Sequence, residues 1–322
     1  VNETTATVNL LVSAAQLEAD EVLSLTFVDP GHGQVPQWEP GAHLDLVLPS
    51  GLRRQYSLCG SPQDRRHLTI AVLREANGRG GSREIHEPGL LGRILTATVR
   101  NHFALVPSDR YIFVAGGIGI TPIMSMVRQL ADTGSWELHY GGRTRSSMAF
   151  IEELETLGGD RVHIVPQATD GLLDVDAILA GADERVAIYC CGPTPLLEVV
   201  KQTHERLAPS ARLVVERFTA GQPPSEVAPP PECERSVELV LNRTGATIEV
   251  GPGQTLLGAI REVVPDAPFS CTEGYCGSCE VAVLGGTPDH RDEILSDDER
   301  KAGKTMFPCV SRALSPRLVI DI

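Results

Sequence analysis

This sequence lacks several things, and each absence narrows the reading. No run of about 18 apolar residues occurs, so no segment is expected to span a membrane as a helix. The N-terminus has no basic stretch leading into an apolar one, so no secretory signal is visible. Positive charge is scarce: 28 Lys and Arg stand against 42 Asp and Glu, for a formal net charge of −14. Binding a phosphate backbone needs a basic face, so nucleic acid is not expected as a partner. Internal repeats and low-complexity tracts are absent as well. The chain begins at Val1 rather than at a methionine, which leaves open trimming or a place within a longer chain.

What is present suits a soluble, multi-domain protein. The 322 residues allow two or three domains at roughly 100–150 residues each. Eight cysteines occur, at 59, 190, 191, 233, 271, 276, 279 and 309. Three crowd together between Cys271 and Cys279, and two are adjacent inside an apolar run. That distribution fits metal ligation plus buried or catalytic thiols in a reducing, cytoplasmic compartment better than a disulfide framework.

The chain changes texture along its length. Residues 1–106 hold short alternating apolar runs separated by turn signals such as Pro30-Gly31 and Pro40-Gly41, which predict an antiparallel β-barrel. Residues 107–222 alternate continuous apolar strands (RYIFVAGG, RVAIYCCG) with helical stretches (TPLLEVVKQTHERL), the signature of a parallel-sheet α/β domain that binds nucleotides. Residues 221–235 contain five prolines in 15 residues, which forbids a regular helix or a central strand. We take 223–235 as a linker. Residues 236–322 return to short strands around one helix, QTLLGAIREVV, and form a small third domain.

The strongest chemical signal lies in that third domain. CTEGYCGSC spaces Cys271, Cys276 and Cys279 as C-x4-C-x2-C, and Cys309 follows later. Four soft thiolates in this pattern suit the two irons of a plant-type 2Fe–2S cluster. Gly274 and Gly277 let the backbone curl so that amide hydrogens face the sulfurs. A structural zinc site is the competing reading, but zinc clusters usually pair two CxxC units and only one occurs.

Two further segments favour nucleotides. Arg54-Gln55-Tyr56-Ser57 closes a strand-like run, and Asn77-Gly78-Arg79-Gly80-Gly81-Ser82 opens a helix-like one. A glycine turn at a helix start presents N–H groups to a phosphate, and Arg54 and Arg79 can add charge-assisted bonds. Tyr56 can lie against an aromatic ring, and Ser57 can bond a ring nitrogen. In isolation the motif is weak and reads first as a surface arginine beside a core tyrosine; the neighbouring domains reverse that in favour of flavin. In the second segment, Gly116-Gly117-Ile118-Gly119 ends a strand, and Thr121-Pro122 begins a helix. This is not GxGxxG, yet its glycines admit a pyrophosphate to the positive end of a helix dipole. A second strand end, Cys191-Gly192-Pro193, would reach the carboxyl edge of the same sheet, where such folds bind ligands. A buried apolar cysteine is the plain alternative there. After WELHYGG comes Arg143-Thr144-Arg145-Ser146-Ser147, without the acidic residue that would repel a 2′-phosphate. Arg143 and Arg145 tilt the choice towards NADPH over NADH, against the reading of a solvated basic loop.

These pieces, in this order, resemble the phthalate dioxygenase reductase family of the ferredoxin–NADP reductase superfamily. The resemblance runs over essentially the whole chain, through RQYSLCG, GRGGS, RNHFAL, VAGGIGITP, CCGP, ERF and CTEGYCGSC with Cys309. It implies FMN rather than FAD, with Arg54 and Ser82 on its phosphate and Tyr56 and Ser57 on its ring. It implies that Cys191 sits near the nicotinamide, and that Glu216 and Phe218 lie beside the flavin. On this reading Ser57, Cys191 and Glu216 are the catalytic set. The implied fold joins a flavin β-barrel, an α/β nicotinamide domain and a β-grasp ferredoxin domain.

The implied activity is a reductase passing electrons from NAD(P)H through FMN and the cluster to an oxygenase. That oxygenase would be a Rieske non-haem iron enzyme or a haem monooxygenase, separate or fused. The resemblance also suggests a monomer. Two competitors stay open: a reductase of free flavin, quinone or ferric chelates, and a redox sensor. The sensor would need an output segment that the sequence does not show. The acidic run Asp292-Glu293…Asp297-Asp298-Glu299 reads as a solvated helix face or as a docking site for a basic partner surface.

Overall fold

The computed structural model describes residues 7–76, 78–133, 135–218, 236–269, 272, 274, 277–292, 294–295 and 297–322. The predicted linker, Cys233, Cys271, Cys276 and Asn77 lie outside the described residues. The chain divides into two compact units, Val1–Thr219 and Ala220–Ile322.

The first unit opens with six antiparallel strands: β1 (Thr7–Ala19), β2 (Val22–Val28), β3 (Ala42–Val47), β4 (Arg53–Ser57), β5 (Leu68–Leu73) and, after the short helix α1 (Gly81–His86), β6 (Ile94–Asn101). They pair in the order β4-β3-β6-β1-β2-β5. Leu58, just past β4, bridges to Ile70 of β5, so the sheet curls until its two edges meet. Alternation sets the inside: Leu25 and Phe27 of β2, Leu44 and Leu46 of β3 and Ile70 of β5 are buried in one core.

The same unit continues into five parallel strands with crossover helices. In chain order these are β7 (Arg110–Gly116), α2 (Ile120–Leu130), β8 (Trp136–Gly142), α3 (Ile151–Gly158), β9 (Val162–Pro166), α4 (Gln167–Asp170), α5 (Val175–Leu179), β10 (Val186–Gly192), α6 (Thr194–Leu207) and β11 (Arg212–Arg217). The sheet order is β11-β10-β7-β8-β9. Central strands covered on both faces need apolar residues at every position, and β10, VAIYCCG, is buried throughout. The direction of strand addition reverses between β7 and β10, which opens a crevice at their carboxyl ends. Residues 103–106 knit the two sheets together. The Tyr189 hydroxyl donates to the Ala104 carbonyl at 2.8 Å and accepts from the Val106 N–H at 2.7 Å. Phe103 joins the core of the parallel sheet.

The second unit holds β12 (Val237–Leu241), β13 (Ala246–Val250), α7 (Leu256–Val263), β14 (Val281–Gly285), β15 (Pro288–Asp289), α8 (Asp297–Ala302), β16 (Thr305–Met306), β17 (Arg312–Ala313) and β18 (Arg317–Ile320). Its main sheet runs β13-β12-β18-β14-β16, with β12 and β18 parallel at the centre. Thr255 caps α7 by accepting from the Gly258 N–H at 3.0 Å. Leu256, Ala259 and Ile260 then press that helix onto Leu239 and Leu318 in a β-grasp arrangement.

Candidate cofactor sites

The crevice between β7 and β10 is built by two glycine turns packed against each other. A Cβ on Gly119 would lie 2.3 Å from the Cys191 carbonyl oxygen, and one on Gly116 would lie 2.7 Å from Cδ of Pro193. A Cβ on Gly192 would lie 3.0 Å from Cα of Gly116. Side chains at these positions would force the turns apart. Gly117 differs: its φ is +55°, and a Cβ there would meet nothing within 4 Å. The backbone of Gly117-Ile118 is therefore open where a pyrophosphate would approach, just ahead of α2. Thr121 does not face that opening. It is buried, and its hydroxyl donates to the Ile118 carbonyl at 3.0 Å, so it shapes the turn.

Parallel pairing of β10 with β11 sets Cys191 beside Glu216. The Cys191 thiol is 3.9 Å from Glu216 Oε2. Burial pushes the Cys191 pKa well above its ordinary 9.0, and Glu216 pushes it further. Burial therefore favours the neutral thiol at Cys191 over the thiolate. Burial raises Glu216 from its ordinary 4.5 to about 8, so near neutral pH it is largely protonated. Phe218 follows β11 and packs, partly buried, on the core cluster that includes Cys191.

The second glycine turn meets β4. The Arg54 guanidinium donates to the carbonyls of Arg53 and Arg79, both at 2.7 Å. A Cβ on Gly81 would lie 2.6 Å from Cγ of Arg54, so the turn and the arginine fit only because Gly81 lacks a side chain. Gly80 adopts φ +89° at the start of α1. The Ser82 hydroxyl accepts from the Glu75 N–H at 3.1 Å and keeps its own proton to donate. Burial, then the like charge of Arg79, lowers the Arg54 pKa. A phosphate between the two arginines would relieve that repulsion, so these residues fit an anionic ligand. Tyr56 is partly buried, and burial raises its phenol pKa; Ser57 is buried.

Sequence reasoning passed over the other side of this strand. His43 pairs with Ser57, and Asp45 with Gln55, across β3 and β4. Both are buried. Burial, helped by His102 and Arg100, takes His43 down to about 3, so it is neutral. The signal was available in the alternation of HLDL, which turns His43 and Asp45 away from Leu44 and Leu46.

Beyond β8, the two arginines differ. Arg145 is held by Glu155 at 2.7 Å. Arg143 is exposed and has no side-chain partner among the described residues.

In the second unit Cys279 and Cys309 are buried together among Leu257, Phe307, Phe269 and Val310. Gly274 and Gly277 have φ of +79° and +72°. A Cβ on Gly274 would lie 2.6 Å from Cγ2 of Val310, the residue after Cys309. The left-handed glycines and the two thiols in one apolar pocket fit a thiolate-held cluster. The acidic run is not wholly solvated, which corrects one of the two readings given to it. Asp292 is buried and accepts from the N–H groups of Ile294 and Leu295 at 3.1 and 2.9 Å, while Asp298 and Glu299 of α8 are exposed.

Comparison with known proteins places these features. Residues 239–314 match the 2Fe-2S iron-sulfur cluster binding domain family, and residues 113–202 match the oxidoreductase NAD-binding domain family. The chain is 41% identical over 324 residues to phenoxybenzoate dioxygenase subunit beta of Ectopseudomonas oleovorans, covering 99% of this chain and 98% of that protein. It is 34% identical over 320 residues to phthalate dioxygenase reductase of Burkholderia cepacia, covering 97% of each. A solved structure of phthalate dioxygenase reductase superposes with a TM-score of 0.70 at 33% identity over 98% of both chains. A crystal structure of an intact type IV self-sufficient cytochrome P450 monooxygenase superposes with a TM-score of 0.88 at 39% identity. That match covers 98% of this chain but 41% of the monooxygenase.

Fold and site together define an NAD(P)H-dependent oxidoreductase with a 2Fe–2S domain. Similarity of this extent is family membership. The chain belongs to the phthalate dioxygenase reductase family. Among the described residues, no helix is long and apolar enough to cross a membrane.

Proposed function

We propose that this chain is the electron-transfer reductase of an oxygenase system, with NADPH as its preferred donor and FMN between nicotinamide and cluster. The observation that carries this reading is the full-length match to oxygenase reductases, in which one chain holds both the nucleotide crevice and the iron–sulfur domain. Nicotinamide releases two electrons together as hydride, and a 2Fe–2S cluster accepts one at a time; flavin supplies the conversion between them.

The chain's own residues bind and orient. Gly116, Gly117, Ile118 and Gly119 present backbone to the pyrophosphate at the start of α2, with Gly192 and Pro193 as the facing wall. Arg143 takes the 2′-phosphate, with Arg145 as a secondary contact because Glu155 already holds it. Arg54, Arg79, Gly80, Gly81 and Ser82 hold the FMN phosphate, while Gln55, Tyr56 and Ser57 line its ring. Cys191 and Phe218 shield the hydride-transfer region from water, and protonated Glu216 offers a hydrogen-bond donor there. Cys271, Cys276, Cys279 and Cys309 ligate the cluster.

The acceptor is a Rieske or haem oxygenase component, borne on a separate chain or on the same one. Plant-type clusters lie near about −400 mV and Rieske centres between about −150 and +300 mV, so onward transfer is downhill. We take the chain as a cytoplasmic monomer, in keeping with the family resemblance.

The test is extraction of the flavin with an iron and sulfide count, followed by steady-state turnover. One FMN, two irons and two sulfides per chain are expected from four thiolates. FAD, or zinc in place of iron, overturns the cofactor reading. Reduction of free flavin or quinone at full rate after removal of the cluster would overturn the oxygenase reading in favour of a free-acceptor reductase.

A further inference from the structure

We propose that Glu137, His139 and His163 form a binding site for a divalent transition-metal ion of the zinc type, on the parallel sheet and separate from the cofactor sites. The site follows from strand register. β8 and β9 are parallel, and His139 pairs with His163. Glu137 lies two residues before His139, so it projects from the same face of β8. The opposite face carries Trp136, Leu138 and Tyr140, which fill the core. Nothing in the folding of the strand therefore needs a carboxylate and two imidazoles here, yet all three converge.

One ligand atom from each residue lies within 4.8 Å of the others. The two imidazole rings stack with centroids 4.6 Å apart and planes 19° apart. Nε2 of His139 is screened from water and has no hydrogen-bond partner. It is 3.9 Å from Glu137 Oε1, too far for a hydrogen bond. A buried polar atom without a partner is costly and uncommon, and a bound cation would satisfy it. Zinc–ligand distances of about 2.0–2.2 Å require the three groups to close in by rotating their side chains.

Two imidazoles and one carboxylate suit zinc, nickel or copper and do not suit magnesium or calcium, which want oxygen ligands. The side chains of Glu137 and His139 are 24% and 16% exposed, and His163 is exposed, so an ion reaches the site from solvent and keeps water on its remaining positions. Arg110 is the built-in competitor, with Nη2 2.9 Å from Glu137 Oε1. The location is remote from the crevice, which lies past the carboxyl ends of the strands. A bound ion would tie the edge strand β9 to β8.

The experiment uses the protein loaded with flavin and cluster, equilibrated with zinc chloride, washed, and assayed for zinc by elemental analysis. Visible absorbance confirms that the cluster is intact. The wild type is expected to hold one zinc per chain more than His163→Gln, an exposed edge-strand change that leaves the core alone. The double variant His139→Gln/His163→Gln is expected to lose the same single equivalent. Arg110→Gln is expected to keep the ion and bind it more tightly. Zinc should raise the unfolding temperature of the wild type and not that of His163→Gln. Equal zinc content in the wild type and His163→Gln overturns the proposal, and so does magnesium giving the same thermal shift as zinc.

Discussion

Replacing Gly119 by alanine isolates the packing of the nicotinamide crevice. The backbone of Gly119 has φ −62° and ψ −4°, which alanine adopts freely, so the substitution carries no conformational strain. Its whole effect is steric. The new Cβ would sit 2.3 Å from the Cys191 carbonyl oxygen and 2.5 Å from the carbonyl carbon. Ordinary contact begins roughly 1 Å further out. Both obstructing atoms are backbone, and Gly192 N is 2.7 Å away, so no flexible side chain can swing aside. One turn must move by about that distance, and such overpacking costs about 1–3 kcal/mol of stability. Displacing a positioning group by about 1 Å can cost 100-fold in rate. Stopped-flow measurement of flavin reduction by NADPH under anaerobic conditions reads this step alone. The expected result is a rate about 100-fold below wild type, with flavin and iron content retained. A folded Gly119→Ala protein that reduces its flavin at the wild-type rate would refute the argument that these two turns set the crevice.

Other perturbations probe the remaining sites. Folded Glu216 holds its proton to about pH 8, whereas an unfolded chain releases it near 4.5. Between those values the folded state binds more protons, so the stability of the flavin-free protein should fall as pH rises from about 4.5 to about 8 and level off above. Glu216→Gln should lack that decline, seen as a wild-type minus variant Tm difference that slopes downward with pH; parallel Tm curves would contradict it. Cys309→Ser should abolish the cluster and reduction of cytochrome c while sparing flavin reduction, read from iron content and the two rates. Arg143→Ala should lower kcat/KM for NADPH by about tenfold or more and leave NADH unchanged, since a charge-assisted hydrogen bond is lost. Arg145→Ala should do less, because Glu155 already binds that arginine; equal losses with both cofactors would remove the 2′-phosphate assignment.

The features that were legible in the sequence are those whose physics is local. Strand alternation, the glycine turns before α1 and α2, and the C-x4-C-x2-C spacing depend on residues a few positions apart, and they sufficed for the three-part architecture and the family. The sequence alone also singled out Cys191, from its place at a strand end, and Glu216, by resemblance, but it could not say what state they are in. That state comes from the pairing of β10 with β11, which puts the buried thiol and the partly buried carboxyl side by side and favours the protonated form of both. Thr121 reads as a ligand contact until the fold turns its hydroxyl onto Ile118. Asp292 reads as part of a solvated acidic run until burial and two backbone N–H groups claim it. His139 and His163 carry no motif at all, and only the register of two parallel strands brings them together. Burial and register are set by contacts between distant parts of the chain, so local pattern names the groups while tertiary structure decides their neighbours, their charge and hence their chemistry.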